Sequence, residues 1–302
     1  MKAIVFGGTG FIGSHVVEQL QLGGHTVTAA VRNTSNIDFL ERLGVEILRI
    51  DFSNKEEISN VIKGHSVVYN CTADTHLGTA TENQEEPEIQ LARTLITLAA
   101  EEGVSRFIQL STIVVYDFQT SEPIAETYVT KPEYPIQRIK LEKDKIVKEI
   151  GVREGISTII VRPASAIGLR DVTSFFSRLL TAHEHDQFPL ARDGEASVSL
   201  VNTRDIGRAM VLLGEISEQN SDNGIYLVKG FDTTWGQLKE EIDRVVGRKA
   251  MVTEVPKTDT SFAGKTLQVN RIWDDSKIRA LGFKPEFSLQ ETVVEAINDI
   301  KK

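Results

Sequence analysis

The segment Lys2-Ala-Ile-Val-Phe-Gly7-Gly8-Thr9-Gly10-Phe11-Ile12-Gly13 limits what this chain can fold into more than any other part of it. An apolar run stops at glycines and then turns amphipathic, with Ile12, Val16, Val17 and Leu20 at helical spacing. The pattern predicts a strand, a tight turn and a helix start. A second apolar strand, Val27 to Val31, follows within the length of one βαβ unit. In such a turn Gly7 permits the sharp bend, Gly10 lets a pyrophosphate approach the backbone, and Gly13 lets the helix pack against the strand. The helix then aims its first N–H groups at the anion. The expected ligand is a dinucleotide, with Thr9, Phe11 and Ile12 completing the cradle.

The end of the second strand bears on which dinucleotide. An acidic side chain there holds the ribose 2′-hydroxyl of NAD, whereas a guanidinium receives the 2′-phosphate of NADP. The chain reads Ala29-Ala30-Val31-Arg32-Asn33-Thr34-Ser35, with no carboxylate at the strand tip. Arg32 beside Asn33 and Ser35 suits a phosphate. NADP(H) is therefore expected rather than NAD(H); a solvated loop arginine is the alternative reading.

No apolar run approaches the length of a membrane span, and residues 1 to 6 enter the first strand directly. Neither a transmembrane helix nor a signal peptide is expected, and the expected compartment is the cytoplasm. Cys71, the sole cysteine, excludes an internal disulfide and reads as a small buried hydrophobe at a strand end. A formal net charge of −9, with Lys and Arg interspersed among acids, argues against a nucleic-acid surface. His183 and His185, two apart, do not share a helix face and read as a solvated helix end or loop, so no metal site is expected.

Apolar strands at 45–50, 66–71, 107–110 and 157–161 alternate with helical patterns near 35–43, 54–62, 85–102 and 136–150. Such alternation implies right-handed βαβ crossovers and a parallel sheet covered on both faces. With 302 residues, 40% of them hydrophobic, there is chain enough for a large domain and a smaller lobe. The expected fold is α/β, a Rossmann doubly wound parallel sheet over residues 1–165, with a smaller C-terminal substrate lobe from about 166–195 and 231–302. Parts of about 195–230 rejoin the sheet, Val198 to Val201 and Tyr226 to Val228 being the strands concerned. A closing helix, Leu289 to Ile300, carries Leu289, Val293, Val294, Ile297 and Ile300.

Further landmarks follow in order. Asp51-Phe52 come after the third strand, Tyr69 to Ala73 close the fourth, and Gly103 to Tyr116 end in Ser111-Thr112 and a Val115-Tyr116 pair. Arg162-Pro163 end a later strand, and Val201-Asn202-Thr203-Arg204-Asp205-Ile206 come late. With the Gly7–Gly13 turn, these resemble the extended or atypical short-chain dehydrogenase/reductases, the NAD-dependent epimerase/dehydratase family with its dihydroflavonol-reductase-like members, over nearly the whole chain. The resemblance implies that Asp51 and Phe52 lie by the adenine. It also places Thr72 and Ala73 beside the cofactor, and Pro163, Ala164 and Ala166 by the nicotinamide. It further implies an enzyme built on a Ser/Thr and a Tyr-x-x-x-Lys pair. There tyrosine passes the proton, lysine lowers its pKa and holds the nicotinamide ribose, and the hydroxyl orients the carbonyl.

Pro135-Ile136-Gln137-Arg138-Ile139-Lys140-Leu141-Glu142 matches that helix, with Ile136 in the tyrosine's place. Lys140 survives; the acid does not. Tyr134 with Arg138 keeps the four-residue spacing but lies two residues early, on another helix face, and arginine cannot be tuned downward as lysine can. Three readings stand. Tyr134 swings into the place and restores a catalytic set of Thr112, Tyr134 and Lys140; or Tyr116, Tyr128, Asp74 or His76 substitutes; or the protein binds NADP(H) as a redox-neutral catalyst, sensor or scaffold. The first two make it an NADP-dependent oxidoreductase or epimerase/dehydratase-like enzyme acting on a small carbonyl or hydroxyl compound or a nucleotide sugar. Asp74, His76, Ile113 and Arg170 are the expected substrate residues. The expected partners are a small-molecule substrate, in a cleft at the C-terminal edge of the strands, and a second copy of the chain. For the latter, the family's habit of pairing two helices implies a homodimer through 88–102 and 136–150. The first offers Ile89, Ala92, Leu95, Ile96 and Ala99; the second carries Lys140, Lys143, Lys145 and Lys148 among acids, and its outward face reads as solvated.

Overall fold

The structure, a computed structural model, describes residues 1–73, 86–217 and 223–301. The chain begins β1 (Lys2–Phe6), α1 (Gly13–Leu22), β2 (Thr26–Val31), α2 (Asp38–Leu43), β3 (Glu46–Arg49), α3 (Lys55–Ile62), β4 (Val67–Asn70), α4 (Pro87–Glu101), β5 (Arg106–Leu110), α5 (Pro135–Glu154) and β6 (Ser157–Pro163). It continues β7 (Ser165–Ile167), α6 (Phe175–Glu184), β8 (Phe188–Leu190), β9 (Ser197–Asn202), α7 (Thr203–Glu215), β10 (Ile225–Val228), β11 (Phe231–Thr234), α8 (Trp235–Val246), β12 (Val252–Glu254), α9 (Phe262–Gln268), α10 (Ser276–Ala280) and α11 (Leu289–Ile300).

Seven strands form one sheet in the order β10-β6-β5-β4-β1-β2-β3. The pairings from β3 across to β6 are all parallel. The order reverses between β1 and β4, and in open α/β sheets ligands gather beyond the carboxyl ends of the strands at such a switch point. Burial explains the layering. Ala3, Ile4, Val5 and Phe6 are all fully buried, so neither face of β1 meets water and helices must cover both. On one face, Ile89, Ala92, Leu95, Ile96 and Ala99 of α4 and Ile146, Val147 and Ile150 of α5 cluster with Ile4, Phe6, Val68 and Phe107. The apolar face of α4 is thus turned into the chain's own core.

The chain divides into two compact units. The first comprises Met1–Tyr116, Lys131–Arg162 and Ile206–Tyr226. The second comprises Asp117–Thr130, Pro163–Asp205 and Leu227–Lys302. Within the second, β9 runs antiparallel to β11 and parallel to β7, and β8 pairs with β12. Phe176, Phe188, Leu200, Trp235 and Ile297 belong to its core. α11 starts with a reciprocal cap, Ser288 Oγ accepting from Glu291 N–H and the Glu291 carboxylate from Ser288 N–H.

Of the two segments expected to rejoin the large sheet, β10 does so and β9 does not. Both edges of β9 are taken, by β11 and by β7, and Gly230 N–H donates to Leu200 O at 2.8 Å just before β11 runs back along β9. His183 also corrects its sequence reading. It continues the inward stripe of Phe176, Leu179 and Leu180 on α6, is fully buried, and places Nε2 2.8 Å from Asp243 Oδ1. His185 is exposed, with Nδ1 2.8 Å from Thr181 O. Among the described residues no cluster of His, Cys, Asp and Glu could hold a metal ion, and no helix is long and apolar enough to cross a membrane.

Candidate functional site

The turn after β1 is built by excluding side chains. Gly7 has φ +81°, and a Cβ there would lie 2.7 Å from the Cys71 carbonyl oxygen. One on Gly13 would fall 2.2 Å from the Gly7 carbonyl oxygen. The turn, α1 and the end of β4 therefore meet backbone to backbone. Gly10 differs: its Cβ would meet only Gly7 O, at 3.2 Å, and otherwise open space. The N–H groups of Phe11, Ile12 and Gly13 find no acceptor among the described residues, Thr9 is exposed, and the first turn of α1 holds no acidic side chain. Three free donors at the positive end of a helix, beside an open glycine, fit a pyrophosphate.

Arg32 and Asn33 follow β2 and are exposed. The loop they begin is held from β3: Arg49 Nη1 donates to the carbonyl oxygens of Arg32, Asn33 and Ser35 at 3.3, 2.7 and 3.3 Å. Asp51 Oδ1 accepts from the N–H and hydroxyl of Ser53, both at 2.8 Å, which holds its carboxyl below the usual aspartate range. Phe52 packs edge-on against Phe6, with 5.7 Å between ring centroids. The Thr72 hydroxyl donates to Asn70 Oδ1 at 2.6 Å, and Ala73 follows, exposed. Asp74 and His76 lie outside the described residues.

Along α5 the inward stripe changes character, from Gln137, Lys140, Lys143 and Asp144 to Ile146, Val147 and Ile150. Lys140 Nζ lies 2.6 and 2.5 Å from the two carboxylate oxygens of Glu88 on α4, and Lys143 Nζ lies 2.5 Å from Glu88 Oε1. The side chains of Lys143 and Glu88 are 2% and 1% exposed. Lys143 thus departs from the solvated reading of this helix, whereas Lys145 and Lys148 are exposed. Burial would raise the pKa of Glu88, but the Lys143 and Lys140 charges outweigh it and hold the carboxyl below its usual range. Burial, then the Lys143 charge, push Lys140 below the usual lysine range, with Glu88 offsetting only part.

One turn further along α5, Asp144 Oδ2 accepts from Arg162 Nε and Nη2 at 3.0 and 2.9 Å and from the Ser111 hydroxyl at 2.8 Å. Arg162 Nη1 donates to the hydroxyl of the fully buried Tyr116 at 3.0 Å. Tyr128 donates to Asp117 Oδ1 at 2.7 Å. Tyr134 stands at the head of α5, its N–H donating to Gln137 Oε1 at 3.0 Å, with Ile136 half-buried in the first turn. Thr112 Oγ1 accepts from Val114 N–H at 3.1 Å, and Ile113 beside it is buried. Cys71 is buried between the position that a Gly13 Cβ would take, 3.0 Å away, and the charge of Lys143. Burial pushes its thiol up to about 12, against the pull of Lys143.

Pro163 ends β6, and in the second unit Ala164 N–H donates to Val228 O at 2.8 Å and Ala166 pairs with Val201. Arg170 has φ 64° and donates its N–H to Asp299 Oδ2 at 2.6 Å. Sequence reasoning passed over Glu88 and Asp144. The available signal was polar residues recurring at 137, 140 and 144 on a helix whose next inward turns are apolar.

Residues 3–228 match the model of the NAD dependent epimerase/dehydratase family. The chain is 22% identical over 323 residues to the UDP-glucose 4-epimerase of Rhizobium meliloti (strain 1021), covering 98% of this chain and 95% of that protein. To the dTDP-glucose 4,6-dehydratase of Streptomyces niveus it is 24% identical over 319 residues, covering 98% and 92%. Its fold matches that of the UDP-glucuronic acid 4-epimerase from Bacillus cereus, solved in complex with NAD, with a TM-score of 0.84 at 21% identity over 100% and 99% of the two chains. A family match over three quarters of the length, on a doubly wound sheet with the glycine turn at its switch point, makes this chain a member of the NAD dependent epimerase/dehydratase family.

Proposed function

We propose that the protein binds NADP(H) at the Gly7–Gly13 turn and is an oxidoreductase or epimerase/dehydratase-like enzyme acting on a small carbonyl or hydroxyl compound or a nucleotide sugar. The observation that carries this reading is the turn itself, where the N–H groups of Phe11, Ile12 and Gly13, with no acceptor among the described residues, stand beside the open face of Gly10. When bound, the nicotinamide would give or take a hydride. The helix end holds the pyrophosphate, Arg32 receives the 2′-phosphate, and Thr112 orients a carbonyl with Tyr134 supplying the proton. Asp74, His76, Ile113 and Arg170 remain the substrate residues of this proposal. The Bacillus cereus relative was solved with NAD, so preference for NADP(H) rests on Arg32 and on the lack of a strand-tip carboxylate. Calorimetric titration of wild type and Arg32→Ala with NADPH and NADH tests it. Arg32→Ala is expected to cost NADPH about 1.5–3 kcal/mol and to leave NADH unchanged. Equal wild-type affinities refute the preference, and binding of neither cofactor refutes the site.

A second reading, cofactor binding as a redox-neutral catalyst, sensor or scaffold, is favoured by the Glu88 ion pairs. Lys140 is committed to a carboxylate, and Ile136 has no proton to give. NADPH turnover over a panel of aldehydes, ketones and nucleotide sugars separates the readings. The same proposal includes a cytoplasmic location, tested by cell fractionation, and a homodimer through α4 and α5, tested by light scattering. Since the apolar face of α4 is in the core, such pairing would use Leu91, Leu98 and Ile139, half-buried at the edge of that cluster.

A further inference from the structure

We propose that Arg49 is a specificity-determining residue, forming with Arg32 a two-guanidinium receptor for the 2′-phosphate of the cofactor while fixing the loop that carries Arg32. The inference rests on the NADP(H) reading above and extends it to a residue that no motif marks. Arg49 is the last residue of β3 and stands opposite Val31, the residue before Arg32, in the β2–β3 register. A single nitrogen, Nη1, takes all three carbonyl contacts, to Arg32, Asn33 and Ser35. The Ser35 N–H turns back onto Arg32 O at 3.0 Å, so the loop closes around the oxygens that Arg49 gathers.

The remaining donors of Arg49, Nε and Nη2, make no hydrogen bond among the described residues, and the side chain is exposed. Neither Arg32 nor Arg49 has a carboxylate within ion-pair distance among the described residues, in a chain with 43 acidic residues against 34 basic ones. Two uncompensated guanidinium groups at one loop are what a dianionic phosphomonoester needs. A planar guanidinium has five donors in a fixed fork, so one nitrogen can hold carbonyls while the others meet an anion. A ribose with a free 2′-hydroxyl offers no charge for the second arginine to meet.

The test is calorimetric titration of the full chain with 2′,5′-ADP and 5′-AMP, for wild type, Arg49→Gln and Arg49→Lys. Glutamine keeps an N–H donor for the loop carbonyls and removes the charge; lysine keeps the charge. The expected result is that Arg49→Gln weakens 2′,5′-ADP about tenfold or more with 5′-AMP unchanged, and that Arg49→Lys retains most of the 2′,5′-ADP affinity. Equal weakening of both ligands would mean that Arg49 supports the nucleotide site as a whole and not the 2′-phosphate. Loss of 2′,5′-ADP affinity in Arg49→Lys as large as in Arg49→Gln would mean that its charge meets no phosphate, and no weakening of either ligand would mean that it is idle; each overturns the proposal. A wild type that does not prefer 2′,5′-ADP to 5′-AMP overturns instead the NADP(H) reading beneath it.

Discussion

Replacing Glu88 by glutamine is the sharpest test of the buried charge cluster between α4 and α5. The carboxylate sits 2.5–2.6 Å from two ammonium groups, and at an effective dielectric near 20 each contact carries about 6 kcal/mol of gross attraction. Most of that offsets the removal of three charges from water, so the pairs add little net stability relative to apolar residues of the same shape. Breaking them is different, because glutamine leaves Lys140 and Lys143 charged, side by side and nearly inaccessible to solvent. Removal of one partner from a buried pair costs about 3–5 kcal/mol. For a chain of this size that corresponds to a fall in Tm of about 6–10 °C at neutral pH, taking roughly 2 °C per kcal/mol. The control is Glu149→Gln, whose partner Lys145 is 3.9 Å away and 62% exposed, where the expected loss is at most about 0.5 kcal/mol. Calorimetric melts of the two variants decide it. A Tm for Glu88→Gln within error of the control would refute the cluster as a buried ionic unit.

The pH dependence of the same variant has a definite sign. Glu88 is depressed in the folded chain, so its contribution is present above the unfolded value of about 4.3 and is lost as pH falls through the folded value; wild-type and Glu88→Gln melts should converge in acid. Gly13→Ala puts a Cβ 2.2 Å from a backbone oxygen that cannot swing away, and overpacking of this kind costs about 1–3 kcal/mol. Titration should show loss of cofactor affinity together with a lower Tm, and retention of both would refute the close-approach argument. Ile136→Tyr restores the Tyr-x-x-x-Lys140 spacing, and general acid help is worth about 10²–10⁴ in rate. NADPH oxidation with a reducible carbonyl should rise in that variant, and further in Ile136→Tyr with Glu88→Gln if the ion pair withholds Lys140.

The glycine turn was readable because its requirements are local: each glycine answers to a backbone atom a few residues away or at the end of the neighbouring strand. The strands were readable because a sheet covered on both faces leaves continuous apolar runs. Lys140 was readable as a position and not as a state. Its partner Glu88 lies 52 residues earlier in the chain, and no periodicity says whether a lysine on an inward stripe meets a ribose or a carboxylate. Lys143 was misread for a related reason, since charge on a helix normally signals a solvated face and only packing against α4 shows the exception. His183 followed its helix inward, where Asp243 meets it, and β9 went to the smaller sheet, where it pairs with both β11 and β7 and buries Val198 and Leu200.

Cys71 has a consequence of an experimental kind. It is the only thiol in the chain, it is buried at the end of β4 against the glycine turn, and burial keeps it protonated. A thiol reagent therefore reaches it when the junction of β4 and α1 opens, and with reclosing fast relative to labelling, the rate measures the free energy of that opening. The wild-type protein carries its own intrinsic gauge of local breathing at the cofactor turn, readable without substitution. Saturating dinucleotide should slow the labelling in proportion to its affinity.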